Sequence, residues 1–172
     1  MNRVGLNILL TDGNFKHTLG IVRSLGDKNS VYVLSFRKHS LTSFSRFCAG
    51  EIIVKNYSDP GFPDQLKRVL NDYKIDIVIP VGSRSVKTFS DHRDIFEGNS
   101  KILLPDSDAL NTALSKVDST ILASKLGIPC PRTIAITDLG EVEKLRYDIS
   151  YPCVIKAPVE MGNNLVEYAK IP

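Results

Sequence analysis

The spacing of hydrophobic residues changes repeatedly along about the first hundred residues of the chain. Short β-branched runs predict strands at 4–10, 31–36, 51–54, 75–81 and 101–104. Between them, apolar residues three or four positions apart predict amphipathic helices from Phe15 to Gly26 and from Phe62 to Tyr73. Nearly all-apolar strands separated by helices are typical of a parallel sheet covered by helices. The pattern therefore predicts an α/β fold with a Rossmann-like parallel sheet.

The order of elements changes near residue 108, where we place a domain boundary. Pro105-Asp106-Ser107-Asp108 offers a cap for a new helix. The pattern then predicts helix, turn, strand, helix and strand, with the strands at 132–137 and 152–157. Asp138 and Glu141 have the spacing of a capping box. We therefore expect a Rossmann-like domain at 1–108 and an incomplete α+β subdomain at 109–172.

Composition excludes several classes of protein. The chain has 172 residues, of which 42% are hydrophobic and 24% charged, as in ordinary globular proteins. No apolar run approaches the roughly 20 residues that a membrane helix needs, and the chain opens into a strand and not a signal peptide. The net charge of +3 is small and the basic residues are spread out, which argues against nucleic acid. We expect a cytoplasmic protein with no membrane or nucleic-acid partner.

The cysteines and histidines do not predict a metal site. The three cysteines include no C-x-x-C pair, and the three histidines are far apart in the sequence. We expect reduced, mostly buried thiols and no metal ligands among these residues.

Two turns after predicted strands are candidate sites for a small-molecule substrate. Asp12, Gly13 and Asn14 follow the first strand, and Gly82 and Ser83 follow the fourth. Open α/β sheets bind ligands at this carboxyl edge, where helix N-termini also attract anions. An ordinary turn capped by Asn14 explains the first motif equally well. Neither G-x-G-x-x-G nor G-K-[ST] is present, which disfavours a dinucleotide or Walker-type site.

Two lysines are candidates for binding phosphate. Lys156 ends an apolar strand, so its ammonium must reach either water or an anion. Lys116 begins a helix, where a cation is unfavourable unless a negative charge offsets it. The loop after Lys156 contains Gly162 and Asn163, whose backbone could present N–H groups to a phosphate. Surface lysines and a plain hairpin turn are the alternative interpretations.

Taken in order, these motifs resemble the beginning of an ATP-grasp enzyme, similar to the carbamoyl phosphate synthase large chain and biotin carboxylase. The segment 8–13 resembles the opening of the pre-ATP-grasp domain. Lys116, its helix and the segment 127–131 resemble the entry into the ATP-grasp domain. The segment 151–157 resembles the phosphate-binding strand of that domain, and the likeness spans nearly the whole chain.

The resemblance implies an ATP- and Mg²⁺-dependent ligase that activates a carboxylate as an acyl phosphate for attack by an amine or a thiol. Lys116 and Lys156 would contact the ATP phosphates, under a flap that contains Gly162 and Asn163. The adenine linker and the magnesium ligands would come from sequence beyond Pro172. This chain alone would then lack a complete active site, and the missing half would be supplied in cis or in trans.

Two other readings stay open. One is a non-catalytic or split-gene binding module that needs a partner chain. The other is a plain nucleotide- or sugar-binding Rossmann-like protein, which the missing glycine fingerprint disfavours. The sequence identifies neither the carboxylate nor the acceptor, and it leaves open whether the chain forms a homo-oligomer.

Overall fold

The computed structural model describes residues 5–98, 100–145, 149–157 and 166–169, with the backbone alone at 139 and 166–169. The chain divides into two compact units, with the division between Pro105 and Asp106. Among the described residues, no helix combines the length and the apolar character required to cross a membrane.

The first unit is built on a five-stranded sheet in the order β3-β2-β1-β4-β5, with every pairing parallel. Its strands are β1 (Asn7–Leu10), β2 (Ser30–Ser35), β3 (Cys48–Ile53), β4 (Ile77–Ile79) and β5 (Lys101–Ile102). The helices are α1 (Lys16–Leu25), α2 (Phe62–Asp72) and α3 (Ser83–Asp91), with short 3-10 helices at Leu41–Phe44 and Arg93–Phe96. The predicted parallel α/β fold is confirmed.

Both faces of this sheet are buried. Ile8 and Leu10 of β1 belong to one hydrophobic cluster, which includes Val22 of α1. Leu9 points to the other face and belongs to a larger cluster. That cluster includes Leu66 of α2. The buried side chains of α2 recur three or four residues apart, so they lie along one side of the helix. Burial on both faces explains why the central strands are nearly all apolar.

The second unit contains the helices α4 (Ser107–Leu114), α5 (Lys116–Lys125) and α6 (Leu139–Leu145). Strands β6 (Cys153–Lys156) and β7 (Val166–Ala169) form an antiparallel pair. The Asp106 side chain caps α4, as predicted, by accepting a hydrogen bond of 2.8 Å from the N–H of Ala109.

Two sequence expectations about local structure are corrected, and one helix was missed. Residues 132–137 form no strand. A strand needs a neighbouring strand to hydrogen-bond with, and among the described residues β6 and β7 pair only with each other. Glu141 accepts from the N–H of Thr137 at 3.0 Å, so it reaches one residue further back than a capping box would. Helix α3 was not predicted, because it buries only Ser85 and Phe89.

The thiols are also more accessible than expected. Cys130 is exposed, while Cys48 and Cys153 are half-buried. All three are free, but they are not mostly buried.

Candidate functional site

The carboxylate of Asp12 lies at the centre of a hydrogen-bonded cluster in the first unit. Asp12 is the second residue after β1 and has left-handed backbone, with φ of 59°. Its Oδ2 accepts hydrogen bonds from Thr11 Oγ1 (2.5 Å), Ser85 Oγ (2.6 Å) and the N–H of Gly82 (2.9 Å). Its Oδ1 accepts from the Tyr57 hydroxyl at 3.1 Å. We call Thr11, Asp12, Tyr57, Gly82 and Ser85 the Asp12 cluster.

The cluster lies where the order of the sheet reverses. Strand β1 lies between β2 and β4. After β1 the chain adds β2 and β3 on one side of it, and then β4 and β5 on the other. The N–H of Val81, after β4, donates to Thr11 Oγ1 at 2.8 Å, which ties the two strand ends together. Open α/β sheets bind ligands in the crevice at such a switch point. The structure thus brings two sequence-predicted candidates, Asp12 and Gly82, into direct contact at this position.

Both candidate glycines are required by close packing. A Cβ on Gly82 would lie 2.9 Å from Asp12 Oδ2 and 2.9 Å from Cε2 of Phe15. A Cβ on Gly13 would lie 2.2 Å from Ser35 Oγ. The N–H of Gly13 already donates to the Leu34 carbonyl at 3.1 Å. These contacts explain both glycines without a ligand, and their role in substrate binding stays a prediction.

Asn14 and Ser83 occupy different positions at this edge. Asn14 is exposed, and α1 is preceded by Phe15 as its N-cap with no side-chain cap, so the interpretation of Asn14 as the cap is wrong. Ser83 is the first residue of α3 and is partly exposed. Both residues lie at the beginning of a helix that starts at the switch point.

These two helices lack the acidic residues that usually favour a helix N-terminus. The first turns of α1 and α3 contain no acidic residue, and Lys16 and Arg84 lie there. Each of the other α-helices in the described chain has an Asp or Glu in its first turn. Helix N-termini carry partial positive charge, and no acidic residue in the first turn of α1 or α3 offsets it.

The hydroxyl of Tyr57 is buried in the cluster as a neutral donor. Burial raises the pKa of Tyr57 above its ordinary value of 10.0, and the adjacent Asp12 carboxylate raises it further. Tyr57 therefore keeps its proton and serves as a hydrogen-bond donor to Asp12 at physiological pH.

In the second unit, the structure brings the end of β6 to Lys116. Lys116 is the first residue of α5, whose N-cap Ser115 accepts from the N–H of Asp118 at 3.1 Å. The Lys116 ammonium donates to the carbonyl of Ala157 at 3.1 Å, and Ala157 directly follows Lys156. The Lys116 ammonium thus lies at the backbone that follows Lys156, although the two lysines are distant in sequence.

The surroundings of Lys156 differ from the expected buried strand. Lys156 is exposed, and the side chains of Val154 and Ile155 before it are 47% and 57% exposed. Backbone pairing places Lys156 opposite Val166. Gly162 and Asn163, the other predicted phosphate-binding residues, lie outside the described residues.

A cleft of about 380 Å³ lies beside α5 in the second unit. One face of α5 lines it through Val117, Thr120 and Ile121, and the following segment contributes Cys130 and Arg132. Among the residues that the structure describes, no group of three or more His, Cys, Asp or Glu side chains is arranged to hold a metal ion.

Sequence reasoning missed three members of the Asp12 cluster. Thr11 and Ser85 are buried hydroxyl residues next to the predicted turns. A buried polar side chain needs a hydrogen-bond partner, so a polar residue beside an apolar strand end is the signal that could have found them. Tyr57 lies 45 residues from Asp12, and no local pattern indicates their contact.

Comparison with solved structures identifies the class of fold. The chain is similar to N5-carboxyaminoimidazole ribonucleotide synthetase from Thermotoga maritima, with a TM-score of 0.66, 17% identity, and coverage of 97% of this chain and 41% of that one. It is similar to the biotin carboxylase domain of the Hydrogenobacter thermophilus 2-oxoglutarate carboxylase, with a TM-score of 0.65, 12% identity, and coverage of 95% and 37%. For L-amino acid ligase from Bacillus licheniformis the TM-score is 0.67 at 12% identity, with coverage of 99% and 39%.

These likenesses show the fold. They agree with the fold that the resemblance implied, and the chain spans about two fifths of the length of the solved structures it matches. No protein-family model and no curated protein matches the sequence.

Proposed function

We propose that this chain is part of an ATP-dependent ligase that activates a carboxylate as an acyl phosphate. The observation that supports this best is the hydrogen bond from the Lys116 ammonium to Ala157, beside Lys156. If the exposed Lys156 side chain turns toward Lys116, an anion between the two ammonium groups would offset their repulsion. A nucleotide phosphate chain is an anion of suitable charge, and the similar structures include ADP and MgADP complexes.

In the proposed reaction, a substrate carboxylate oxygen attacks the γ-phosphorus of ATP, and the bond from that phosphorus to the bridging oxygen breaks. ADP leaves, and an amine or thiol then displaces phosphate from the acyl phosphate. Such transfers depend on positioning and on neutralising charge. Lys116 and Lys156 would neutralise part of the charge on the phosphates. Mg²⁺ would supply the remaining neutralisation.

The carboxylate substrate is proposed to bind at the switch point of the first unit. The Asp12 carboxylate accepts four hydrogen bonds within its own cluster, so we assign it a structural role in this site. The electropositive helix N-termini beside it, at Asn14 and Ser83, are the part that would attract an anion.

The test is nucleotide binding by the full-length gene product with Lys156→Ala. We expect its affinity for Mg-ATP to fall about tenfold, because one charge-assisted contact to a phosphate is lost. Lys144→Ala in α6, at an exposed position of the same unit, is the matched control and should bind as the wild type does. Unchanged affinity in Lys156→Ala, measured by calorimetry, would sink the role assigned to this lysine.

A second candidate is a binding module completed by another polypeptide. Several apolar side chains of the second unit are exposed, as expected if further polypeptide covers them: Ile121, Leu122, Ile128, Val154 and Ile155. The completing half would be supplied in cis or in trans. The intact mass of the gene product from its source cells decides between these arrangements. A much heavier product supports the cis arrangement, and a product of this length that copurifies with a second fragment supports the trans one.

A further inference from the structure

The carboxyl edge of the sheet in the first unit carries a group of basic side chains that we call the basic rim. It consists of Lys16 at the start of α1, Arg37 and Lys38 after β2, and Arg84 in the first turn of α3, all exposed. Within the part of the chain that the structure describes, none of the four makes an ion pair or a side-chain hydrogen bond. Their positive charge is therefore not neutralised by a neighbouring side chain.

The carboxylates at the same edge are already engaged by the protein. Asp12 is held by the donors of its cluster. Glu51 of β3 accepts from the N–H groups of His39 (2.9 Å) and Ser40 (2.8 Å), and Asp59 accepts from a backbone N–H at 2.8 Å. In the loops that follow β1 to β4, Asp12 and Asp59 are the only acidic residues. The four cations of the basic rim thus outnumber these three carboxylates, which are held by neutral donors of the protein.

The β2–β3 loop is fixed beside the turn that follows β1. The N–H of Gly13 donates to the Leu34 carbonyl at 3.1 Å, and the N–H of Thr42 donates to the Gly13 carbonyl at 3.0 Å. Glu51 holds the loop between these two anchors at His39, whose φ is 61°. Arg37 and Lys38 therefore lie in a segment that begins and ends next to the crevice.

Two phenylalanine rings add apolar surface to this edge. Phe15 is 44% exposed, and its ring approaches Gly82 of the Asp12 cluster. Phe36 is 39% exposed, and its ring packs edge-on against Tyr57 with centroids 4.6 Å apart. Each ring packs next to a residue of the Asp12 cluster and is partly exposed, so it offers positioned apolar surface.

We propose that Phe15, Phe36, Arg37, Lys38 and Arg84 determine the substrate class by binding a small anion that carries an apolar body. The rim cations hold its carboxylate or phosphate group, and the rings contact the apolar body. That this ligand is the substrate rests on the proposed function; that the rim binds such an anion rests on the residues of the first unit alone.

The experiment titrates the 172-residue chain with phenyl phosphate, phenylacetate and inorganic phosphate, without nucleotide, by calorimetry and NMR. We expect both phenyl-bearing anions to bind at least about fivefold more tightly than inorganic phosphate, because ring burial adds to the charge contact. A preference for phenyl phosphate or for phenylacetate distinguishes a phosphorylated substrate from a free carboxylate. Binding of neither phenyl-bearing anion overturns the proposal.

Variants separate the two contributions. Arg37→Ala should weaken binding of both phenyl-bearing anions about fivefold. Phe36→Ala should instead remove most of the preference over inorganic phosphate. Arg23→Ala, in the last turn of α1 at the opposite edge of the sheet, makes the same change of charge and should bind as the wild type does. Equal losses in Arg37→Ala and Arg23→Ala, with both variants folded by circular dichroism, would contradict the proposal.

The outcome is independent of the nucleotide site. Binding at the rim is scored from NMR shifts of residues in the first unit, since Lys156 belongs to the other unit. Failure of anion binding with intact nucleotide binding removes the rim proposal alone, and the reverse result removes the ligase proposal alone.

Discussion

At the scale of single residues, Asp12 joins parts of the first unit that are far apart in sequence. Its partners Tyr57 and Gly82 lie 45 and 70 residues away. We expect Asp12→Asn to lower the free energy of unfolding by about 2 kcal/mol, because the amide keeps the shape but turns an acceptor into a donor that faces other donors. Urea denaturation measures the change.

The control for this variant is Asp64→Asn, at an exposed position in the first turn of α2. It should cost less than about 0.5 kcal/mol. Tyr57→Phe removes one hydrogen bond and should cost about 1 kcal/mol, but much less in the Asp12→Asn background. Equal costs for Asp12→Asn and Asp64→Asn would show that the cluster does not stabilise the fold.

The sequence predicted where Asp12 lies but not what it does. A polar turn after an apolar strand indicated the carboxyl edge, since local hydrophobic spacing determines the strand. The partners of Asp12 depend on contacts between distant segments, which local spacing does not encode. The same holds for Lys116. The resemblance implied that Lys116 and Lys156 contact the same phosphate chain, whereas the hydrogen bond from Lys116 to Ala157 required the fold.

At the scale of elements, Glu51 connects β3 to the β2–β3 loop through His39 and Ser40. Burial raises the pKa of Glu51, but hydrogen bonds from Ser40 and His39 outweigh burial and lower the pKa below the ordinary 4.5. A lowered pKa in the folded state means that Glu51 contributes stability above its unfolded pKa. That stability is lost as the pH falls through the folded value.

We therefore expect Glu51→Gln to be less stable than the wild type near neutral pH. The difference should shrink as the pH falls below the unfolded pKa of 4.5 and through the lower folded pKa, below which Glu51 is protonated in both states. Urea denaturation across this range measures it, with Glu97→Gln at an exposed position as the control. A difference that does not change with pH would contradict the role of the Glu51 charge in holding the loop.

Elements that bury an apolar face were easier to predict than elements that depend on a partner. The strands of the first unit were found because both faces of the sheet are apolar. Residues 132–137 have a strand-like composition, but a strand also needs a neighbour with free backbone groups. Helix α3 was missed for the opposite reason, since it begins with the polar residues 83–85 and buries little.

At the scale of the whole molecule, the buried apolar core belongs almost entirely to the first unit. Among the described residues, Leu110 is the one buried hydrophobic side chain that lies beyond Pro105. Both core clusters consist of residues before that point. Because apolar burial provides most of the driving force for folding, the two units should differ strongly in intrinsic stability.

We predict that a fragment of residues 1–105 folds on its own. Its urea denaturation should be cooperative, with a midpoint close to that of the main transition of the whole chain, since it keeps both clusters and the Asp12 cluster. A fragment of residues 106–172 should show no cooperative transition, because its described apolar side chains are largely exposed. Hydrogen exchange on the whole chain provides an independent measurement, with the slowest amides expected in β1, β2 and β4. An unfolded 1–105 fragment would mean that the first unit requires the second for its stability, and that the core contacts within it are insufficient.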